Sequence, residues 1–132
     1  MPSFDFGQKI SAQPSLFDSE LTAQSNGASI DVSGFEGVAV ATHVGGGTIS
    51  DISATPLTLT FFEADEDNFS EASQIDSKYV VKNPSINAHN SVFVASIKPT
   101  KRYVWAQVSE PNDGNVQIST IGVLGYAAET PT

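Results

Sequence analysis

Five carboxylates fall within the nine-residue run Glu63-Ala64-Asp65-Glu66-Asp67-Asn68-Phe69-Ser70-Glu71. A flexible loop of this kind binds Ca²⁺ when several of its carboxylate oxygens converge. The spacing is poor for an EF-hand. Counted from Asp65, Phe69 takes the third ligand position and Ser70 stands where the turn glycine is required. The run therefore reads as a solvated hairpin tip whose charges blunt a sheet edge. Of opposite sign, Lys98, Lys101 and Arg102 place three of the six positive charges within five residues of the segment Ile97-Lys98-Pro99-Thr100-Lys101-Arg102-Tyr103-Val104-Trp105-Ala106-Gln107-Val108. Pro99 and Thr100 mark a turn, and Tyr103, Val104, Trp105 and Val108 favour a strand. In a chain of formal net charge -9, such a cationic turn is either a partner contact or a charge-balanced strand end. The residues alone leave both readings open.

His43 and His89 are the only histidines, and a zinc site would need carboxylates to complete three or four ligands. Nothing in the spacing supplies them, so one half-buried strand histidine and one loop histidine are expected. The chain has no cysteine, which excludes disulfides, thiolate metal sites and a cysteine nucleophile. No Gly-x-Ser-x-Gly elbow is present. Gly45-Gly46-Gly47-Thr48 lacks the Gly-Lys-Ser/Thr ending of a phosphate loop and reads as a flexible connection between strands. Fifteen acids offer many carboxylate pairs for glycoside chemistry, but a chain of 132 residues has little material for a deep cleft. No enzymatic activity, cofactor or metal is expected. Tyr79, Tyr103, Trp105 and Tyr126 would suit a sugar-stacking platform, as in a carbohydrate-binding module. Period-two alternation puts Tyr103 and Trp105 on one strand face and Arg102, Val104 and Ala106 on the other, so the bulky pair is a packing face.

The elements that must position these groups are strands. Apolar residues alternate at Val38 and Val40, at Leu57, Leu59 and Phe61, and at Val116 and Ile118. Candidate strands are 29–32, 37–44, 57–64, 78–82, 91–97, 103–109 and 116–126, with 21–24 as a possible eighth. Turn residues separate them at Asn26-Gly27, Ser33-Gly34, Asn83-Pro84 and Asp113-Gly114. The expectation is an all-β, single-domain antiparallel β-sandwich, jelly-roll-like, with seven or eight short strands and almost no helix. About two thirds of the extended chain's surface would be buried, enough for one core without staples. Residues 1–18 lack a sustained period and read as an extended amino-terminal arm. The sandwich is expected over 19–126 and a flexible tail over 127–132. Phe4, Phe6 and Ile10 are the arm's candidate anchors to a neighbouring surface.

Charge narrows the partners. A pI near 4.3 argues against binding nucleic acid, which needs Lys and Arg arrayed over a face. No apolar stretch approaches the roughly 20 residues of a membrane-spanning helix. The residues Met1-Pro2-Ser3-Phe4-Asp5-Phe6 show no secretory pattern, so synthesis in the cytoplasm is expected.

Three segments carry a family resemblance. The stretch from Ile97 to Val108, with Thr100-Lys101-Arg102-Tyr103 between two apolar strands, resembles small β-sandwich proteins encoded beside the major capsid protein in tailed bacteriophages. Ala28-Ser29-Ile30-Asp31-Val32-Ser33-Gly34-Phe35-Glu36-Gly37-Val38 is similar to that family's strand, Gly-aromatic turn and next strand, and Leu57 to Asp67 to its hairpin. The resemblance covers residues 20 to 126 approximately. It departs at Glu66-Asp67-Asn68, in place of a Gly-Ser turn, and in the loop from Ser109 to Asn115. What it implies is a virion structural protein on the capsid exterior. Such a protein decorates and stabilises the shell, binds the phage major capsid protein and forms a homotrimer. Lys98, Lys101 and Arg102 join Phe4, Phe6 and Ile10 as candidate partner-binding residues. A tail or head-to-tail connector protein is the alternative within virion structure, and a carbohydrate-binding module the alternative outside it.

Overall fold

The structure, a computed structural model, describes residues 11–81 and 85–127. Among these residues run eleven strands: β1 (Ser11–Leu21), β2 (Ser25–Asn26), β3 (Ile30–Asp31), β4 (Phe35–Gly47), β5 (Leu57–Ala64), β6 (Ser73–Gln74), β7 (Val80–Val81), β8 (Ser85–Ile86), β9 (Ser91–Ile97), β10 (Tyr103–Val108) and β11 (Val116–Ala127). Two single 3-10 turns, Phe69–Glu71 and Ser77–Tyr79, are the only helical pieces among them.

The fold is an all-β antiparallel sandwich. One sheet has the order β1-β11-β4-β9-β7. The other has the order β2-β10-β5-β6, with β3 also pairing β10 and β8 pairing β5. Alternation builds the core as expected. Val38, Val40 and Val44 point inward from β4, Leu57, Leu59 and Phe61 from β5, and Val104, Ala106 and Val108 from β10. Each of these Val, Leu and Phe side chains contributes about 1.5–3 kcal/mol through burial, and Ala106 less. Gly122 on β11 is set by packing: a Cβ there would come within 2.8 Å of Ile30, which fills the space from the opposite sheet. Gly34 is set by backbone, because its φ of 86° lies in the left-handed region of the turn before β4.

The first strand corrects the expected boundary between arm and sandwich. Residues 11–18 are part of β1, paired antiparallel to β11 from Ser11↔Leu124 to Leu21↔Val116. Phe4, Phe6 and Ile10 lie outside the described residues. The period-two signal fails in β1 because the register shifts between Pro14 and Phe17 and again between Asp18 and Leu21. Pro14, which has no N–H to give, sits on an edge strand. The backbone N–H of Leu16 finds the Thr120 hydroxyl at 2.8 Å, and Leu16 itself is buried. β1 also stitches the two sheets. The Gln13 side chain donates to the Asp31 carbonyl and accepts from the Asp31 N–H, both at 2.9 Å, while the Ser15 hydroxyl donates to the Ala28 carbonyl at 2.7 Å.

Two further expectations change. Gly45, Gly46 and Gly47 are no connection but the end of β4, where Gly47 still pairs with Val116. Segment 78–82 opens as a 3-10 turn, and among its described residues Val80–Val81 pair with β9.

Candidate functional site

The basic turn joins β9 to β10, and its three cations part company. Arg102 is committed internally. Its Nε donates to Asp31 Oδ1 at 3.2 Å and a terminal nitrogen to Asp31 Oδ2 at 3.0 Å, and the guanidinium lies 5.1 Å from the centre of the Tyr103 ring. The Arg102 hydrogen bond and the Ser33 N–H hold the Asp31 carboxyl below its usual range, and Asp31 in turn raises Arg102. Lys98 and Lys101 make no ion pair with the described residues. Lys98 lines a shallow depression of about 220 Å³ with Lys78, Tyr79, Val81, Ser96 and Ile97.

A carboxylate from the acidic run holds the same turn from beneath. Glu63 is buried, and its Oε1 accepts from the Thr100 N–H at 2.8 Å and the Lys101 N–H at 3.2 Å, while Oε2 accepts from the Thr100 hydroxyl at 3.0 Å. The rest of the run serves as a cover. Asp65, Glu66 and Asp67 point to solvent, and Asn68 caps the 3-10 turn by accepting from the Ser70 N–H at 3.1 Å. That turn carries Phe69 back over the sheet, edge-on to Phe62 at 5.3 Å and to Trp105 at 5.7 Å between ring centres. Trp105 is left 4% exposed. A ring buried in this way offers no stacking surface to a sugar. No group of three or more His, Asp or Glu residues suited to a metal ion exists among the described residues.

The two histidines are apart in role. His43 is exposed on the outer side of β4, whereas His89 is half-buried with Nδ1 3.3 Å from the Gly45 carbonyl and a buried Nε2 without a partner. Among the described residues neither imidazole is hydrogen-bonded to a serine hydroxyl or a carboxylate.

The residues that the sequence reading missed lie on the outer face of the five-stranded sheet. Register places Pro14, Ile121, Ala41 and Val94 in one rung across β1, β11, β4 and β9. The next rung holds Phe17, Ser119, His43 and Val92, and the one on the other side Ala12, Val123, Ala39 and Ser96, with Val81 of β7 beyond. Val92 is 62% exposed, Val94 48% and Ile121 43%, and Phe17 and Val81 are more exposed still. None of these positions carries Asp, Glu, Lys or Arg. The signal was present in the sequence: Val92-Phe93-Val94-Ala95 and Ile121-Gly122-Val123-Leu124 are apolar at both parities, which marks strands with apolar residues on both faces.

Comparison of the chain with protein-family models and with curated proteins finds no match. No helix among the described residues is long and apolar enough to cross a membrane.

Proposed function

We propose that this chain is a virion structural protein that decorates the assembled capsid of a tailed phage, binds the major capsid protein non-covalently and stabilises the shell. The observation that carries the reading is the open outer face of the five-stranded sheet. It is broad and apolar, its three central rungs hold no formal charge in a chain of net charge -9, and Lys78 and Lys98 stand at its β7 edge, which is the character of an assembly surface with a polar rim. The resemblance of segments 28–38, 57–67 and 97–108 to capsid-adjacent β-sandwich proteins supplies the kind of assembly. Many copies on a lattice turn weak single contacts into firm attachment, so a modest surface suffices.

The test is direct. Purified protein is mixed with capsids that lack it, and co-sedimentation is measured together with the temperature at which DNA is released. Binding with a raised release temperature supports the proposal. Absence of binding at saturating protein sinks it.

A further inference from the structure

We propose that the open face of the five-stranded sheet packs against the same face of a second copy of this chain, sheet on sheet, in a two-fold pair. The inference rests on reading the face as an assembly surface: the pair forms in the free protein, and the capsid competes for the same face.

Size is the first argument. The face spans five strands, about 24 Å at the usual strand spacing, and its three longest strands run for 11, 12 and 13 residues. About 30 Å along those three strands, with β9 and β7 adding only their 7 and 2 residues, gives roughly 600 Å² per copy. Specific interfaces begin at about 600 Å² per partner.

Shape is the second. Along β4 the outward residues Gly37, Ala39 and Ala41 are small, while Ile121 and Val123 on β11 and Val92 and Val94 on β9 flank them. The face is thus a shallow groove about 10 Å wide between two aliphatic ridges. A two-fold operation lays the ridge of one copy into the groove of the other, since in such an interface one surface is both donor and acceptor of the fit. Aligned sheets stack at about 10 Å with strands crossing near 30°.

Charge is the third. Two copies that each carry -9 repel, and they meet at low cost only where neither presents a carboxylate. On the three rungs of this face the outward positions hold one ionisable side chain, His43, and the charges at its β7 edge are the cations Lys78 and Lys98. Asp51, Glu110 and Asp113 sit in the loops at the end of the sandwich instead. Salt shortens the range of the remaining repulsion to about 8 Å at physiological ionic strength.

Sedimentation equilibrium of the full chain between about 1 and 100 µM tests the pairing. The wild type should approach twice the chain mass of 13.9 kDa. Raising NaCl should tighten the pair, because screening lowers like-charge repulsion. Val94→Lys and Ile121→Lys should each weaken pairing at least about a hundredfold, since every pair would bury two new charges. Both substitutions lower the net negative charge, so dissociation cannot be assigned to repulsion. Ser53→Lys, at an exposed loop position away from the face, should leave the mass doubled. Thermal unfolding of each variant checks the fold. A monomer at 100 µM, a three-fold or larger mass, or a doubled mass that survives both face substitutions would overturn the inference. So would a monomer that instead binds lipid vesicles through this face. Capsid co-sedimentation is a separate readout, so loss of pairing and loss of decoration can be told apart.

Discussion

The two sheets of this sandwich turn opposite outer faces to the world. On the β2-β10-β5-β6 sheet, Phe62, Tyr103 and Trp105 face outward, and the chain covers Phe62 and Trp105 itself by folding Phe69 over them. On the five-stranded sheet, Phe17, Val92, Val94 and Ile121 face outward, and no described residue covers them. Both faces carry large apolar side chains, so the presence of such residues does not separate them. What separates them is that the polypeptide spends a seven-residue excursion, 65–71, on closing one and nothing visible on closing the other. On the proposed reading, the apolar surface left open is the place for another molecule.

That contrast is open to attack at several points. Trp105→Ala should cost the most, about 3–5 kcal/mol in chemical denaturation, because a fully covered aromatic leaves a cavity. Phe69→Ala should follow with a smaller loss and a distinctive sign. Trp105 is the only tryptophan, so uncovering it should shift its fluorescence to the red; an unshifted spectrum would mean that Phe69 is no cover. Glu63→Ala should lose about 2–3 kcal/mol, because the N–H groups of Thr100 and Lys101 are left without their charged acceptor. A milder effect is expected at Asp31. Its carboxyl is held low in the folded state, so it binds a proton less readily there than in the unfolded chain. The stability it contributes is complete above about pH 4 and is lost as pH falls through the lowered value. Asp31→Asn should therefore be less stable than the wild type near neutrality and converge with it in acid. Smallest of all, Val92→Ser on the open face should change monomer stability by no more than about 0.5 kcal/mol, as for a surface substitution.

Much of the sandwich was legible because its strands alternate and its turns carry the expected residues. The bounds of β5 and β9 match the expected 57–64 and 91–97, and Gly34 and Gly114 both take the positive φ that their turns demand. β1 was hidden by its own irregularity, since two register shifts and Pro14 erase the alternation that would reveal it. Gly45 to Gly47 misled in the other direction, three glycines in a row suggesting a break where β4 continues against β11.

The basic turn shows where sequence reasoning runs out. Its two acidic partners, Asp31 and Glu63, lie 71 and 37 positions away from the residues they hold, and no local spacing predicts such a meeting. Of the two readings left open for the turn, Arg102 takes charge balance. Lys98 and Lys101, unpaired among the described residues, keep the partner-contact reading as part of the proposal. The acidic run was read as a solvated tip, which holds for Asp65 to Asp67 but not for Glu63 and Phe69, both of which turn back onto the domain. Burial of Glu63 and the folding back of Phe69 depend on groups distant in sequence, here the Thr100 and Lys101 N–H groups at Glu63 and the Trp105 ring at Phe69.

The central claim is that the open sheet face is a surface of assembly. Hydroxyl-radical footprinting, read residue by residue in the dilute free protein and after mixing with capsid particles that lack it, measures it most directly. The account predicts that Phe17, Val92, Val94 and Ile121 are modified readily in the free chain and protected in the particle, while Trp105 is protected in both. Equal modification of the four face residues in the two states would contradict it.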